Sequence, residues 1–338
     1  MEQLLEYNDV LIKPKPSKVN SREEVNTKTI LRTVLNSFIE LDVPIIASPM
    51  KGIVGTELIK KLGELGGIGI LHRFHTNKNG KPDVKKRAEE LLELDESGVP
   101  YGLAIGLHGL DETLILDLVL EEAVSPKILC IDVANGYTEE LIEASRAIFI
   151  ELRKRQLPIA LMAGNVVDVA GVRALSNAGV SLYRIGIGSG QLCTTRNKTG
   201  IGYPQLSAIM KIREDNWMGL IADGGIKTSG DAVKALAGGA DAVMMGSMFA
   251  KTFESENTGV IYGMASKQLQ EQFYGTLKSV EGISKEIKKE ISLKDLVEDI
   301  TWSIKSACTY VDAYSLAGLR RNAEFIKVSP YSIEENKL

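Results

Sequence analysis

The chain has 338 residues, 44% of them hydrophobic, enough to bury a large core as one barrel-type domain or two smaller ones. Its formal net charge of −4 argues against a nucleic-acid partner. No run approaches the roughly 18 apolar residues of a membrane span, and the opening MEQLLEYNDVLIKPKPSKVNSR lacks the basic stretch and apolar core of a secretory leader. Three cysteines, Cys130, Cys193 and Cys308, form an odd, sparse set that fits a reducing cytoplasm better than a disulfide framework. No CxxC or histidine cluster suggests zinc.

Eight short apolar runs rich in β-branched residues follow in chain order: PIIAS (44–48), GIGIL (67–71), YGLAIG (101–106), ILCIDV (128–133), IALMAGNV (159–166), LYRIGIG (182–188), GLIADGG (219–225) and AVMMGS (242–247). The segments between them read as helices. In VGTELIKKLGELGG, Leu58, Ile59, Leu62 and Leu65 share one face and Gly66 supplies a stop. SGDAVKALAGG carries Asp231 in its first turn and Gly238–Gly239 at its end. Eight alternating units predict a (β/α)8 TIM barrel, with residues 1–338 as a single domain. The rival, a doubly wound open sheet, would show GxGxxG after its first strand, and the chain does not. The tail opens with KTFESENTG. The charged Lys285 to Glu290 stretch reads as a solvated face, and 251–300 as a flap or lid over the rim.

The C-terminal ends of the runs are chemical: SPM, HRFH, GLHG, DVANG, GNV, GSGQLC, DGG and GS. In a β/α barrel that end carries the active site. Cys193 follows a Gly-Ser-Gly turn and precedes Thr-Thr-Arg, the setting of an exposed nucleophile rather than of a buried cysteine. Arg196 is a candidate source of thiolate-stabilising charge, or else a surface charge. DGG at 223–225 precedes a helix start and MGS at 245–247 another turn, after the seventh and eighth runs; they are either ligand-free tight turns or the place where a phosphate meets backbone N–H groups. Asp223 is either a ribose acceptor or a helix cap, and Asp132 either orients a cofactor amide or makes an Asx turn. Glu281 alone is a loop acid. His72 and His75, flanking Arg73, read as packing or surface residues.

These segments together resemble the IMP dehydrogenase/GMP reductase family, and its reductase branch more closely. The resemblance covers nearly the whole chain: YNDVLIKP, NSREEV, PIIASPM, IDVANGY, AGNV, GIGSGQLCTTRNKTGIGYPQLSA, ADGGIKTSGD, DAVMMGS, YGMAS, VEG and SACTY. It implies a cytoplasmic barrel enzyme that converts GMP to IMP with NADPH and releases ammonia. It also implies a homotetramer with no nucleic-acid or membrane partner. Cys193 matches the nucleophile toward purine C2, and Thr195 and Glu281 the pair that handles protons. Ser48, Met50, Asp223, Gly224, Gly225, Gly246, Ser247, Gly263, Met264, Ala265, Lys278 and Gly282 match nucleotide positions. Ser21, Arg22, Arg73, Asp132, Val133, Ala134, Ile187, Gly188, Ser306, Ala307, Cys308 and Thr309 match cofactor positions. Gly188, Gly190 and Cys193, near Arg196, match a monovalent-cation (K+) site.

About 30 residues separate GIGIL from YGLAIG, so no regulatory domain is inserted there. VEG with its acid at 281 also favours the reductase branch, and no Arg-Tyr flap pair that would activate water is found. Lys51 stands where many relatives carry an acid, Gln191 where many carry a phosphate-touching serine, and Leu277–Lys278 where some carry Tyr-Arg. The remaining alternatives are an IMP dehydrogenase without regulatory domains, a nucleotide-binding homologue without catalysis, and a flavin-dependent barrel.

Overall fold

The computed structural model describes residues 3–329, apart from 36, 78, 80, 216, 264, 265, 268–270 and 272–281. Its centre is a closed, parallel barrel of eight strands: β1 (Ile45–Ala47), β2 (Ile68–Leu71), β3 (Tyr101–Ile105), β4 (Ile128–Asp132), β5 (Ala160–Val166), β6 (Leu182–Ile185), β7 (Leu220–Asp223) and β8 (Ala242–Met245). Each predicted apolar run supplies one strand, and closure of β8 onto β1 excludes the open-sheet rival. The helices that separate them are α1 (Thr56–Glu64), α2 (Val84–Glu96), α3 (Leu110–Leu120), α4 (Glu139–Lys154), α5 (Val169–Asn177), α6 (Gln205–Glu214) and α7 (Ser229–Gly238), with α8 (Leu293–Tyr310) after β8.

The runs are apolar throughout because a parallel strand under helices is buried on both faces. Alternate residues point inward: Ile46, Ile68, Ile70, Ala104, Ile128, Cys130, Met162, Leu182, Ile221 and Met244 pack together in the barrel interior. The intervening ones, such as Ile45, Leu71, Leu103 and Leu129, face the helices. In α1, Leu58, Ile59 and Leu62 are fully buried, each worth roughly 1.5–3 kcal/mol of apolar transfer. Gly66 then turns the chain at φ +84°. Thr228 caps α7 through its hydroxyl and Asp231 returns the bond, a capping box.

Two pieces outside the barrel position the rest. An antiparallel hairpin, Thr29–Arg32 with Phe38–Leu41, closes the N-terminal end of the barrel. Its Leu31, Ile39 and Leu41 belong to the same buried cluster as the barrel interior, and Thr29 Oγ1 donates to Asp241 O at 2.8 Å, beside the start of β8. At the other flank Val10–Ile12 pairs antiparallel with Phe325–Lys327. In the tail, Val260–Tyr262 pairs with Ser284–Glu286, and residues 285–290 are exposed apart from Ile287, as their charge predicts. Among the described residues no helix is long and apolar enough to cross a membrane.

Candidate active site at the barrel rim

The loop between β6 and α6 brings Cys193 to the C-terminal rim. Cys130 and Cys308 are fully buried, and burial pushes their thiols up to about 12 and about 11 respectively. Cys193 alone is partly open. Its Sγ lies 3.1 Å from Thr195 Oγ1, hydrogen-bond distance for a thiol and a hydroxyl. Thr195 begins a single helical turn, Thr195–Thr199.

Two neighbours grip this loop. From the turn after β7, Asp223 O faces Ser189 Oγ at 3.4 Å, and Gly224 (φ +97°) lies so close that a Cβ there would sit 2.6 Å from that hydroxyl. From the tail, Cys193 and Gly282 form an antiparallel bridge, Ile283 N donates to Leu192 O at 3.1 Å, and Gly263 N donates to Ile283 O at 3.0 Å. Gly263 and Gly282 are therefore packed against the cysteine loop. Glu281, Lys278, Met264 and Ala265 lie outside the described residues. At the β1 end, Ser48 N donates to Met245 O at 2.9 Å, and Met50 Sδ fills the space that a side chain at Gly246 would need. Ser48, Met50 and Gly246 thus meet across the β1–β8 seam, with Ser247 next in the chain, and Asp223–Gly225 adjoin the cysteine loop.

Beneath the rim the motif-read Asp132 and Asp223 are tied together by a residue the motif reading passed over. Arg184, on β6, is almost completely buried. Its Nη1 donates to Asp132 Oδ1 at 2.6 Å, its Nε to Asp223 Oδ2 at 3.0 Å, and Nη2 lies 2.8 Å from the same oxygen. Asn165 Nδ2 donates to Asp223 Oδ2 at 2.8 Å and to Gly186 O at 2.7 Å. Burial opposes the guanidinium charge, but Asp223 and Asp132 outweigh it and hold the pKa above its ordinary value. Asp223 Oδ2 is saturated, whereas Oδ1 makes no hydrogen bond among the described residues. Asp132 Oδ2 is likewise open to a ligand. Asp223 caps nothing, since Thr228 caps α7, and the Asx turn of DVANG belongs to Asn135, whose Oδ1 accepts from Tyr137 N. An arginine within an apolar strand run was the available signal.

Of the cofactor-matched residues, Arg73 is near Glu112 (3.6 Å) and over the Phe74 ring (4.3 Å). Val133 is half-buried and Ala134 exposed beyond Asp132, and Ile187 and Gly188 are half-buried at the start of the cysteine loop. Ser21 and Arg22 lie elsewhere, on a short 3-10 turn whose flank hydrogen-bonds to the chain after α8, with Asn26 N donating to Tyr314 O. Ser306, Ala307, Cys308 and Thr309 form the last turn of α8, with the Cys308 thiol in the core. No described contact joins this second group to Cys193, Arg73 or Asp132.

Arg196 does not face the thiol. Its Nη1 donates to Glu6 Oε1 and its Nη2 to Tyr203 O at 2.7 Å. The two histidines are buried, as expected of packing residues: His75 Nε2 meets Glu90 Oε2 at 2.8 Å, and His72 faces Glu256 at 3.9 Å. With Lys51 and Lys86 they line a cavity of about 360 Å³ beyond the ends of β1 and β2. Burial, then the Lys86 charge, brings the Lys51 amine down to about 8. Gln191 is exposed.

The family model described as the IMP dehydrogenase / GMP reductase domain matches residues 4–338. The chain belongs to this family. Among its relatives, a GMP reductase of Buchnera aphidicola subsp. Acyrthosiphon pisum (strain Tuc7) is 34% identical over 342 residues, covering 96% of this chain and 94% of the relative. GMP reductase 2 of Homo sapiens is 34% identical over 341 residues with the same coverage. GMP reductase 1 of Rattus norvegicus is 32% identical over 342 residues, covering 96% of this chain and 95% of the relative. A matching family model and relatives of similar length make the chain a barrel enzyme of this family.

Proposed function

We propose that the chain is a GMP reductase, converting GMP to IMP by reductive deamination with release of ammonia, through a covalent bond between Cys193 Sγ and purine C2. One observation carries this reading: the single partly open cysteine stands at the barrel rim, 3.1 Å from a threonine hydroxyl, with the strand end that follows Glu281 bonded to its loop.

The chemistry follows from these roles. The Cys193 thiolate adds to C2, which breaks ring conjugation there and readies the amino group to leave. Thr195 relays a proton and Glu281 supplies one, so the C2–N bond breaks and ammonia departs. NADPH supplies a hydride to C2 of the sulfur-bound purine. The C2–S bond then breaks, returning the thiolate and leaving IMP. Two easier steps replace one hard substitution.

The residues present suit such ligands. Asp223 Oδ1 is open to ribose hydroxyls, and the glycines at 224, 225 and 246 let a phosphate approach backbone N–H groups. For the cofactor, Asp132 Oδ2 is open and Arg73 stands at the same rim. Thr194 Oγ1, buried beside Cys193 with no partner among the described residues, is a further group for a ligand to satisfy. A monovalent cation is proposed for the carbonyls of Gly188, Gly190 and Cys193, where Glu6 neutralises Arg196. A cytoplasmic homotetramer is proposed from the family resemblance, and light scattering measures its mass.

Absorbance of reduced nicotinamide, followed with GMP, dGMP and IMP in parallel, tests the reading. GMP-dependent NADPH oxidation is expected, and NADH formed from IMP and NAD+ would make the chain an IMP dehydrogenase instead. Cys193→Ala should bind GMP and turn nothing over. Near-normal oxidation by that variant overturns the proposal.

A further inference from the structure

We infer that Glu6 is a positioning residue for the reactive loop, acting through Arg196. The loop from Gly186 to Pro204 is long and glycine-containing, so its shape must be imposed from outside. The tail holds one side through Leu192 and Cys193. The other side is held by a residue 190 positions away in the chain.

Glu6 uses both carboxylate oxygens. Oε1 accepts from Arg196 Nη1, and Oε2 accepts from Gln205 N at 2.9 Å. Arg196 sits in the helical turn directly after Cys193, and Gln205 is the first residue of α6, where the loop ends. Pro204, the residue before α6, offers no side-chain acceptor, so the Glu6 carboxylate fills the place of a cap at the positive end of that helix. The pair is about one-third exposed on each side.

Glu6 itself stands on a fixed base. Leu5 N donates to Ser207 Oγ at 2.8 Å, Ser207 N donates to Leu5 O at 3.1 Å, and Lys234 Nζ donates to Tyr7 O at 2.9 Å. Tyr7 is buried. The Arg196 side chain in turn acts as a strut: a Cβ on Gly188 would lie 2.7 Å from its Cγ and one on Gly202 2.6 Å. Glu6 therefore joins both ends of the cysteine loop through one carboxylate. Arg196 is occupied in shaping the loop, not in neutralising the thiolate.

The test uses the full chain with Glu6→Gln, Glu6→Asp, Arg196→Lys and the Glu6→Gln/Arg196→Lys pair, each first checked by thermal melting. Tryptic cleavage after residues 196 and 198 reads loop closure without any nucleotide. GMP-dependent kinetics read positioning, and that arm alone rests on the proposed function. Glu6→Gln is expected to be cleaved about 10-fold faster than the parent. Its kcat is expected to fall about 10-fold while KM moves less than about 2-fold. Glu6→Asp, which keeps the charge, should fall between, and the double variant should be no worse than the more damaged single one. Parent-like cleavage of Glu6→Gln overturns the inference. So do losses that multiply in the double variant, or a Glu6→Asp protein as damaged as Glu6→Gln. If the parent turns over no GMP, the proposed function falls and cleavage alone decides this inference.

Discussion

The two ends of the barrel are built from opposite materials. At the N-terminal end a hairpin inserts Leu31, Ile39 and Leu41 into the interior cluster and seals it with hydrocarbon. At the C-terminal end the same interior terminates in Arg184, Asp132, Asp223 and Asn165, above which stands Cys193. The apolar end supplies stability without direction, while the ionic end supplies direction at a desolvation cost that the guanidinium shared by Asp132 and Asp223 offsets. A barrel filled with side chains gives a rigid floor on which one end can be spent on chemistry.

Substitutions at each end should break this comparison in different ways. Arg184→Leu leaves the two largely desolvated carboxylates of Asp132 and Asp223 without the guanidinium they share, and we expect a loss of about 3–5 kcal/mol together with loss of nucleotide binding. Denaturant melts and ligand titration check both, and a variant of parental stability would show that the carboxylates relax to solvent. Leu31→Ala opens a cavity at the sealed end and should cost about 2–5 kcal/mol. Its activity per folded molecule should stay unchanged, so a fall in kcat comparable to that of rim variants would mean that the ends are coupled. Thr228→Ala removes the cap of α7 just below the Asp223 turn and should cost about 1 kcal/mol, read by thermal melting.

The last expected effect, silent at neutral pH, is a pH dependence at His75. Burial holds its imidazole well below its ordinary value of 6.5, so it stays neutral when folded. As pH falls below about 6.5 the unfolded chain takes up a proton that the folded one refuses, so acid favours unfolding. His75→Gln should flatten that acid limb of the stability curve, and a limb of unchanged slope assigns it to other groups.

Much of the fold was legible because a parallel strand buried on both faces leaves a continuous apolar run, and eight such runs correspond to β1–β8. The sealing hairpin was not. Its strands TILR and FIEL are short, each carries exposed as well as buried residues, and what buries them is the distant barrel floor. Cys193 and Thr195 were readable as neighbours two positions apart. Arg184 was not, because its partners lie 52 and 39 positions away, and Glu6 was not, because its partner lies 190 away. Local sequence announces a side chain's chemistry, but pairing across the mouth of a barrel is settled by closure.

The ladder between Val10–Ile12 and Phe325–Lys327 brings the first and last strands of the described chain side by side. A gene rearranged to run from the chain's last residue through a linker into its first, and opened instead at the exposed turn after α4, would keep the strand order and contacts of the barrel, Glu6 included. Such a circular permutant would start synthesis midway round the cylinder, and its recovery of the native form would show that the order of building is free while the finished ring is not.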